Sequence, residues 1–553
     1  MKLYKDTLKI FIKNKLFLMV TVLSYLGAVI YATKYYGTKL ELQWIVSPLI
    51  RGLQLSFYVF LVVLFLSYEF FVRFQHNGIG EVAITTKHGS KKKHLICAFH
   101  VMTLWAFVIT CVITVTVIVG YKYYGVQDPH GEYIWHIIKN MLLEIFLIAE
   151  LGIVIGFFCS KIKNRILVYG FMLLIVYMVS PYPEKIADIQ SLSSNGKGTI
   201  YPLVEALNIM PLVQTNFMPN FSFGESVLFY QVSRILFWIS LFFMGILITR
   251  KYRMKWVLLT GIISIGFFYG YAEPASKVIM NSNPANTLAH DQYYYMEGKD
   301  KAKMEAADYK ISAYDMELKI GRQLSAKVTM DVDRSLSVYK MTLYHGYHVK
   351  HVYTQDNVEL KFQQSQDYVL ISNPAKHKVQ KLHVEYAGYS AAYYSNSQGS
   401  YLPGNFAYYP RAGYIAVYDQ TQMRMNSCFV SSHTKFKVKV ECKKKIYTNL
   451  EEKDGIYEGA CDGFTIMSGF YKVENLGNGN RLIYNYLCDE YYYTKEMGDD
   501  ITTFSEDMDS LKKRLKKEKK TGVTIFVVPN VNQTSNIDVG QKQILTNSLY
   551  ELV

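Results

Sequence analysis

Glu69, Lys139, Glu144, Glu150 and Arg234 are ionisable side chains set inside long apolar runs. A charge carried into lipid is costly, so such residues mark either a functional path or a side chain reaching back to the interface. Glu69, Lys139 and Arg234 fit the second reading, with apolar stems and heads near the polar boundary. Glu144 and Glu150 lie deeper, where they either line a polar cavity or pair with Arg234. No ready-made catalytic pattern accompanies them. A phosphate-cradling loop needs G-x-x-x-x-G-K-[ST], and no segment fits; Gly477-Asn478-Gly479-Asn480 reads only as a turn. A zinc peptidase helix needs H-E-x-x-H, and none occurs. His130 and His136 have the wrong spacing around Glu132, and His100 and His433 stand alone. The expectation is a chain with no catalytic residues, no metal ligands and no cofactor of its own.

The elements that hold the five ionisable residues are membrane spans. A spanning helix needs roughly 20 mostly apolar residues, because backbone groups in lipid must bond internally. The sequence offers Leu16–Thr33, Leu53–Val72, Leu95–Val119, Ile134–Phe158, Ile166–Ser180, Val227–Thr249 and Val257–Ala272, the fifth and seventh being short. The expected fold is therefore an α-helical transmembrane bundle of about seven helices. After Ala272 apolar residues alternate with polar ones and no long apolar run returns. The expected domains are the bundle over 1–272, a linker over 273–308, and a mainly-β domain over 309–553. Gly152 with Gly156, and Gly266 with Gly270, have the spacing that lets helices approach closely.

The net charge of +15 carries no nucleic-acid motif with it, so no nucleic-acid partner is expected. Much of the positive charge sets orientation instead. Lys2, Lys5, Lys9, Lys13 and Lys15 precede the first run; Arg73, Lys87, Lys91, Lys92 and Lys93 follow the second. Lys161, Lys163 and Arg165 follow the fourth, and Arg250, Lys251, Arg253 and Lys255 follow the sixth. The other spacers carry Asp128, Glu132, Glu184, Asp188 and Glu205. Alternation places the N-terminus in the cytoplasm of a multi-pass cell-membrane protein. Seven spans place the C-terminal domain outside. There, Cys428, Cys442, Cys461 and Cys488 either pair or stay free, since their spacing matches no zinc knuckle.

The loop from Arg73 to Lys93 contains Gly78, Glu81, His88 and Gly89 and ends in three lysines. A charged residue, a glycine, a glutamate, an amphipathic stretch and a basic run suit a helix lying at the interface. The loop resembles the coupling segment of the permease subunits of type-2 ABC exporters. The proline that the family pattern places near His88-Gly89 is absent. The resemblance implies that Arg73, Gly78, Glu81, His88 and Gly89 contact a separate ATP-binding subunit. It also implies that the chain pairs with a second permease, a homo- or heterodimer in the lipid bilayer.

Beyond the bundle, Tyr309–Leu318, Ser325–Asp331, Tyr339–Leu343, Val358–Phe362, Tyr368–Ile371, Val379–Tyr386 and Phe436–Val440 show the period of two and the β-branched and aromatic enrichment of strands. They predict an antiparallel sandwich or saddle-shaped sheet. A helix is expected over Ser505–Lys520, its lysines facing water or an anionic headgroup. Several segments are similar, in order, to the N-terminal β-saddle domain of M1 metallo-aminopeptidases: Tyr314-Asp315; Leu382 to Gly388 with its Y-x-G ending; Ala407-Tyr408-Tyr409-Pro410-Arg411; Lys435–Val440 with Tyr447-Thr448-Asn449. Ile466–Val473 and Val523–Pro529 resemble the strands that follow. That family's Gly-x-Met-Glu-Asn loop and zinc helix have no counterpart here. The resemblance implies a saddle without peptidase chemistry, which binds cargo or a partner. Tyr393, Tyr394, Tyr401, Tyr408 and Tyr409 either form an aromatic binding surface or pack within the sheets. A degenerate tethered peptidase and a non-transporting receptor are the competing readings.

Overall fold

The computed structural model describes chiefly residues 2–37, 55–76, 91–123, 131–180, 229–249, 254–272, 304–485, 504–527 and 537–546, apart from isolated positions within them. The chain divides into two compact units, Met1–Thr215 with Ser226–Ala275, whose described residues are helical, and Asn216–Glu225 with Ser276–Val553, whose described residues are mainly β.

Each apolar run forms a helix. The helical unit contains α1 (Lys2–Lys13), α2 (Lys15–Gly37), α3 (Ser56–His76), α4 (Lys91–Tyr123), α5 (Glu132–Met141), α6 (Ile148–Cys159), α7 (Arg165–Val179), α8 (Phe229–Thr249) and α9 (Met254–Ala272). Between α5 and α6 the backbone widens into a π-helical turn, Leu142–Leu147. Among the described residues four helices are long and apolar enough to cross a bilayer, or five if the bent pair α1–α2 counts as one span. With 15 residues α7 rises only about 22 Å, short of a hydrocarbon core of about 30 Å, and α9 is apolar over a similarly short stretch.

Aromatic packing ties α1 and α2 to the rest. The Phe11 ring lies 4.4 Å from Phe17, and Phe17 lies 5.0 Å from Trp105 of α4. The Trp105 indole N–H donates to Thr21 at 2.9 Å. Asn164 caps α7, its side chain accepting from the N–H groups of Ile166 and Leu167 at 3.0 and 3.3 Å. Between α8 and α9 the hydroxyl of Ser264 meets that of Ser240 at 2.8 Å. Gly152 and Gly156 pack α6 onto α3, as their spacing predicts. Among the described residues Gly266 has no neighbour within 4 Å of where a Cβ would stand.

The β unit is built on a seven-stranded sheet in the order Glu451–Lys453, Ile456–Ala460, Lys435–Glu441, Ile311–Ile320, Leu324–Val332, Lys381–Gly388, Tyr347–Thr354. Along Ile311–Ile320 the alternation sends Tyr314, Met316, Leu318 and Ile320 inward and Asp315, Glu317 and Lys319 outward. Four smaller sheets complete the unit. The predicted strands are present with small shifts of boundary, and the late helix is α10 (Phe504–Lys517). Its Arg514 serves the fold, pairing with Glu518 at 2.8 Å and donating to the Leu552 carbonyl.

Two expectations change. Among the described residues the seven-stranded and the five-stranded sheet are mixed, while the other three sheets are antiparallel as expected. Ala313 opens a parallel pairing with Lys435, and Thr524–Val527 runs parallel to both Asn480–Asn485 and Gln543–Thr546. Ile466–Val473 is two strands, Ile466–Ser468 and Tyr471–Gly477, divided beside Gly469 with its φ of 137°. Tyr295 and Glu305, ahead of the first strand, pack on the β unit. The ring of Tyr295 stacks on Tyr418 at 4.7 Å and 4°, and Glu305 exchanges backbone bonds with Tyr414 at 2.9 and 2.8 Å.

Candidate functional site

Within the helical unit, the deep carboxylates have distinct partners. Glu144 stands in the π-helical turn, where an extra residue per turn re-aims side chains. Its carboxylate accepts a hydrogen bond from the backbone N–H of Leu55, at the entry to α3. The first N–H groups of a helix have no partner within it and carry partial positive charge, so a carboxylate there is both acceptor and counter-charge. Glu150, on α6, accepts from the Thr103 hydroxyl of α4 at 3.1 Å; its other oxygen is buried with no hydrogen-bond partner among the described residues. Arg234 is buried on α8. Glu150 is thus met by Thr103.

Of the three groups expected at the interface, Glu69 and Lys139 are partly exposed and Arg234 is buried. Glu69 accepts from the Tyr169 hydroxyl at 2.7 Å and pairs with Arg73 at 3.6 Å, with both charged groups partly exposed. Lys139 lies 5.8 Å from the centroid of Trp135. Of the coupling-loop residues Arg73 ends α3; Gly78, Glu81, His88 and Gly89 lie outside the described residues, as do Tyr394 and Cys488.

The aromatic surface of the β unit is corrected. Tyr393, Tyr401, Tyr408 and Tyr409 are buried in its core. Their rings pack against Phe406, Phe436 and one another. The Tyr408 hydroxyl donates to the Phe464 carbonyl at 2.6 Å, and the Tyr386 hydroxyl to the Tyr408 carbonyl at 2.7 Å. Arg411, only 1% exposed, sits among them. Its guanidinium carbon lies 3.6 Å from the Tyr409 ring, and Nη2 donates to the carbonyls of Gly404 and Phe406 at 2.7 and 3.0 Å. Burial pushes Tyr409 up to about 12, with Arg411 opposing it. It likewise raises the thiols of Cys428 and Cys461, to about 11 and about 12. Both are free, as is Cys442.

Sequence inspection missed the open groove on the outer face of the seven-stranded sheet. It encloses about 530 Å³ and is lined by Asp315, Glu317, Lys327, Thr329, Tyr353, His383 and Glu385 among others. Lys327 pairs with Glu385 at 3.2 Å, and the Thr329 hydroxyl meets His383 Nδ1 at 2.8 Å. Burial first, and then the Lys381 ammonium, lower the His383 pKa, which favours the neutral ring. The outward alternation of strands was legible; that their polar residues converge on one hollow depends on the sheet's order. Among the described residues no three His, Cys, Asp or Glu side chains are grouped to hold a metal ion.

No family model and no curated protein matches the chain. Among solved structures, the M1 zinc metallopeptidase of Deinococcus radiodurans is 14% identical over 44% of this chain and 61% of that one, with a TM-score of 0.28. Native leukotriene A4 hydrolase from Saccharomyces cerevisiae is 12% identical over 46% of this chain and 44% of that one, with a TM-score of 0.28. The matched region thus spans less than two thirds of either enzyme. Likeness at this level assigns neither a family nor an activity.

Proposed function

We propose that this chain is the membrane-embedded permease subunit of an exporter whose ATP hydrolysis comes from a separate subunit. The observation that carries the reading is the pair of acidic side chains held inside an apolar helical unit, Glu144 on the α3 entry and Glu150 against Thr103. An ionisable group kept within spanning helices marks a substrate or ion path more often than a packing role. The loop from Arg73 to Lys93 is the contact for the ATPase, on the sequence resemblance given above. In this reading the N-terminus is cytoplasmic, the β unit is outside, and two permeases pair in the bilayer. The β unit offers cargo or a partner its polar groove, not a tyrosine surface.

The test is purification from the native membrane followed by mass spectrometry of what accompanies the chain. A stoichiometric ATPase bearing the phosphate-loop motif, lost when Glu81 and Gly89 are replaced and kept but uncoupled in Glu150→Gln, is the expected result. Isolation without any ATPase, under conditions that preserve known exporter complexes, overturns the reading in favour of a tethered receptor or peptidase remnant.

A further inference from the structure

Four helices of the helical unit enclose a lateral cleft of about 480 Å³ that the polar positions above do not use. Leu95, Ile96 and Phe99 come from the first turns of α4, Phe157 from the last turn of α6, Phe243, Ile246 and Leu247 from the end of α8, and Trp256 from the start of α9. All these segments belong to one end of the bundle. Lining side chains Ile96, Phe243 and Trp256 remain exposed, so the cleft opens sideways as well as being apolar within. The volume falls in the range of ligand sites, roughly 300–1,000 Å³.

Two exposed lysines stand beside the lining residues. The Lys255 ammonium lies 5.4 Å from the Trp256 ring centroid. Lys93 is exposed two positions before Leu95 on α4. Among the described residues no carboxylate lines the cleft. Trp256 at a helix start has the placement of an interfacial anchor. A lining that is apolar but for His100 and Thr260, with exposed lysines beside it, fits an acyl chain carrying an anionic head.

We infer that the cleft between α4, α6, α8 and α9 is a binding site for an anionic phospholipid, its tail along Phe99, Phe157 and Phe243 and its phosphate at Lys93 and Lys255. A juxtamembrane lysine near an anionic headgroup contributes about 1 kcal/mol, or about fivefold in affinity. The site stands independently of whether the chain works with an ATPase.

Full-length protein reconstituted in vesicles tests it, with bromine on the acyl chains of either phosphatidylglycerol or phosphatidylcholine as the fluorescence quencher. Subtracting the signal of Trp256→Phe isolates Trp256 from the other tryptophans. Brominated phosphatidylglycerol is expected to quench Trp256 at a mole fraction at least fivefold lower than brominated phosphatidylcholine. Lys93→Gln and Lys255→Gln, both at exposed positions, each cut that preference about fivefold while the protein keeps its helical circular dichroism. Equal quenching by both lipids means ordinary boundary contact and overturns the site. Quenching by neither lipid means the cleft is closed to lipid and overturns it as well.

Discussion

Gly156 of α6 lies so close to Ser67 of α3 that a Cβ at position 156 would come to 2.2 Å from the Ser67 Oγ. The same atom would stand 2.9 Å from the Leu64 carbonyl oxygen and the Tyr68 nitrogen, both backbone. The Ser67 hydroxyl, bonded to the Val63 carbonyl at 2.6 Å, also reaches the Gly152 carbonyl at 3.1 Å. Two helices thus touch backbone to backbone in the unit that holds Glu150.

Gly156→Ala should therefore force α3 and α6 apart, at a cost of about 1–3 kcal/mol. Gly152→Ala should cost less, because its nearest contacts are at 3.2 Å and two of the three are atoms of the Val63 side chain. Thermal unfolding in detergent, read by circular dichroism, orders the two variants. Equal melting temperatures for Gly156→Ala and the parent would show that the seam is not under compression.

Glu144 gives a second comparison. Glu144→Gln keeps an acceptor for the Leu55 N–H and loses only the charge at the α3 entry, so about 0.3–1 kcal/mol is expected. Glu144→Leu leaves that N–H without its partner and should cost about 1–3 kcal/mol. Stability measured for both in one detergent separates acceptor from charge; a larger loss in the glutamine variant would reverse the assignment.

Arg411 predicts a cost even for a conservative change. Arg411→Lys keeps N–H donors but loses the planar guanidinium, so it cannot bond both the Gly404 and Phe406 carbonyls while a flat face lies on Tyr409. Losing one buried bond and the stacked face should destabilise the β unit by about 1–3 kcal/mol. Limited proteolysis of the full chain at rising temperature reads this, with cleavage expected within the β unit several degrees earlier. An unchanged profile would mean that the cradle adds nothing.

Alkaline pH should loosen the β unit. The Cys461 thiol goes from an ordinary value of 9.0 to about 12 on folding, because burial disfavours the thiolate. A folded value above the unfolded one means the contribution is complete below about pH 9 and is lost as pH rises toward 12. Cys428, raised to about 11, adds to the same decline. Melting temperatures between pH 8 and 11 should fall more steeply in the parent than in Cys461→Ala. Parallel slopes would remove the thiol from the account.

The sequence by itself located the helices, because lipid-compatible runs and their lysine borders are local in the chain. It located the glycine seam at Gly152 and Gly156 for the same reason: helical spacing alone puts both on one face. Strand positions such as Ile311–Ile320 were legible from a period of two, though which face meets the core was not. Only the tertiary structure turned Tyr408 and Tyr409 inward around Arg411, since strands and turns 404–411 are wrapped by segments far away in sequence, such as Phe464. Only it ran Ala313 parallel to Lys435, a pairing that local periodicity cannot encode because it depends on a long chain crossover. And only it brought Leu55 to Glu144, where the meeting of a helix entry with a π-helical turn 89 positions away decides what a buried carboxylate is for.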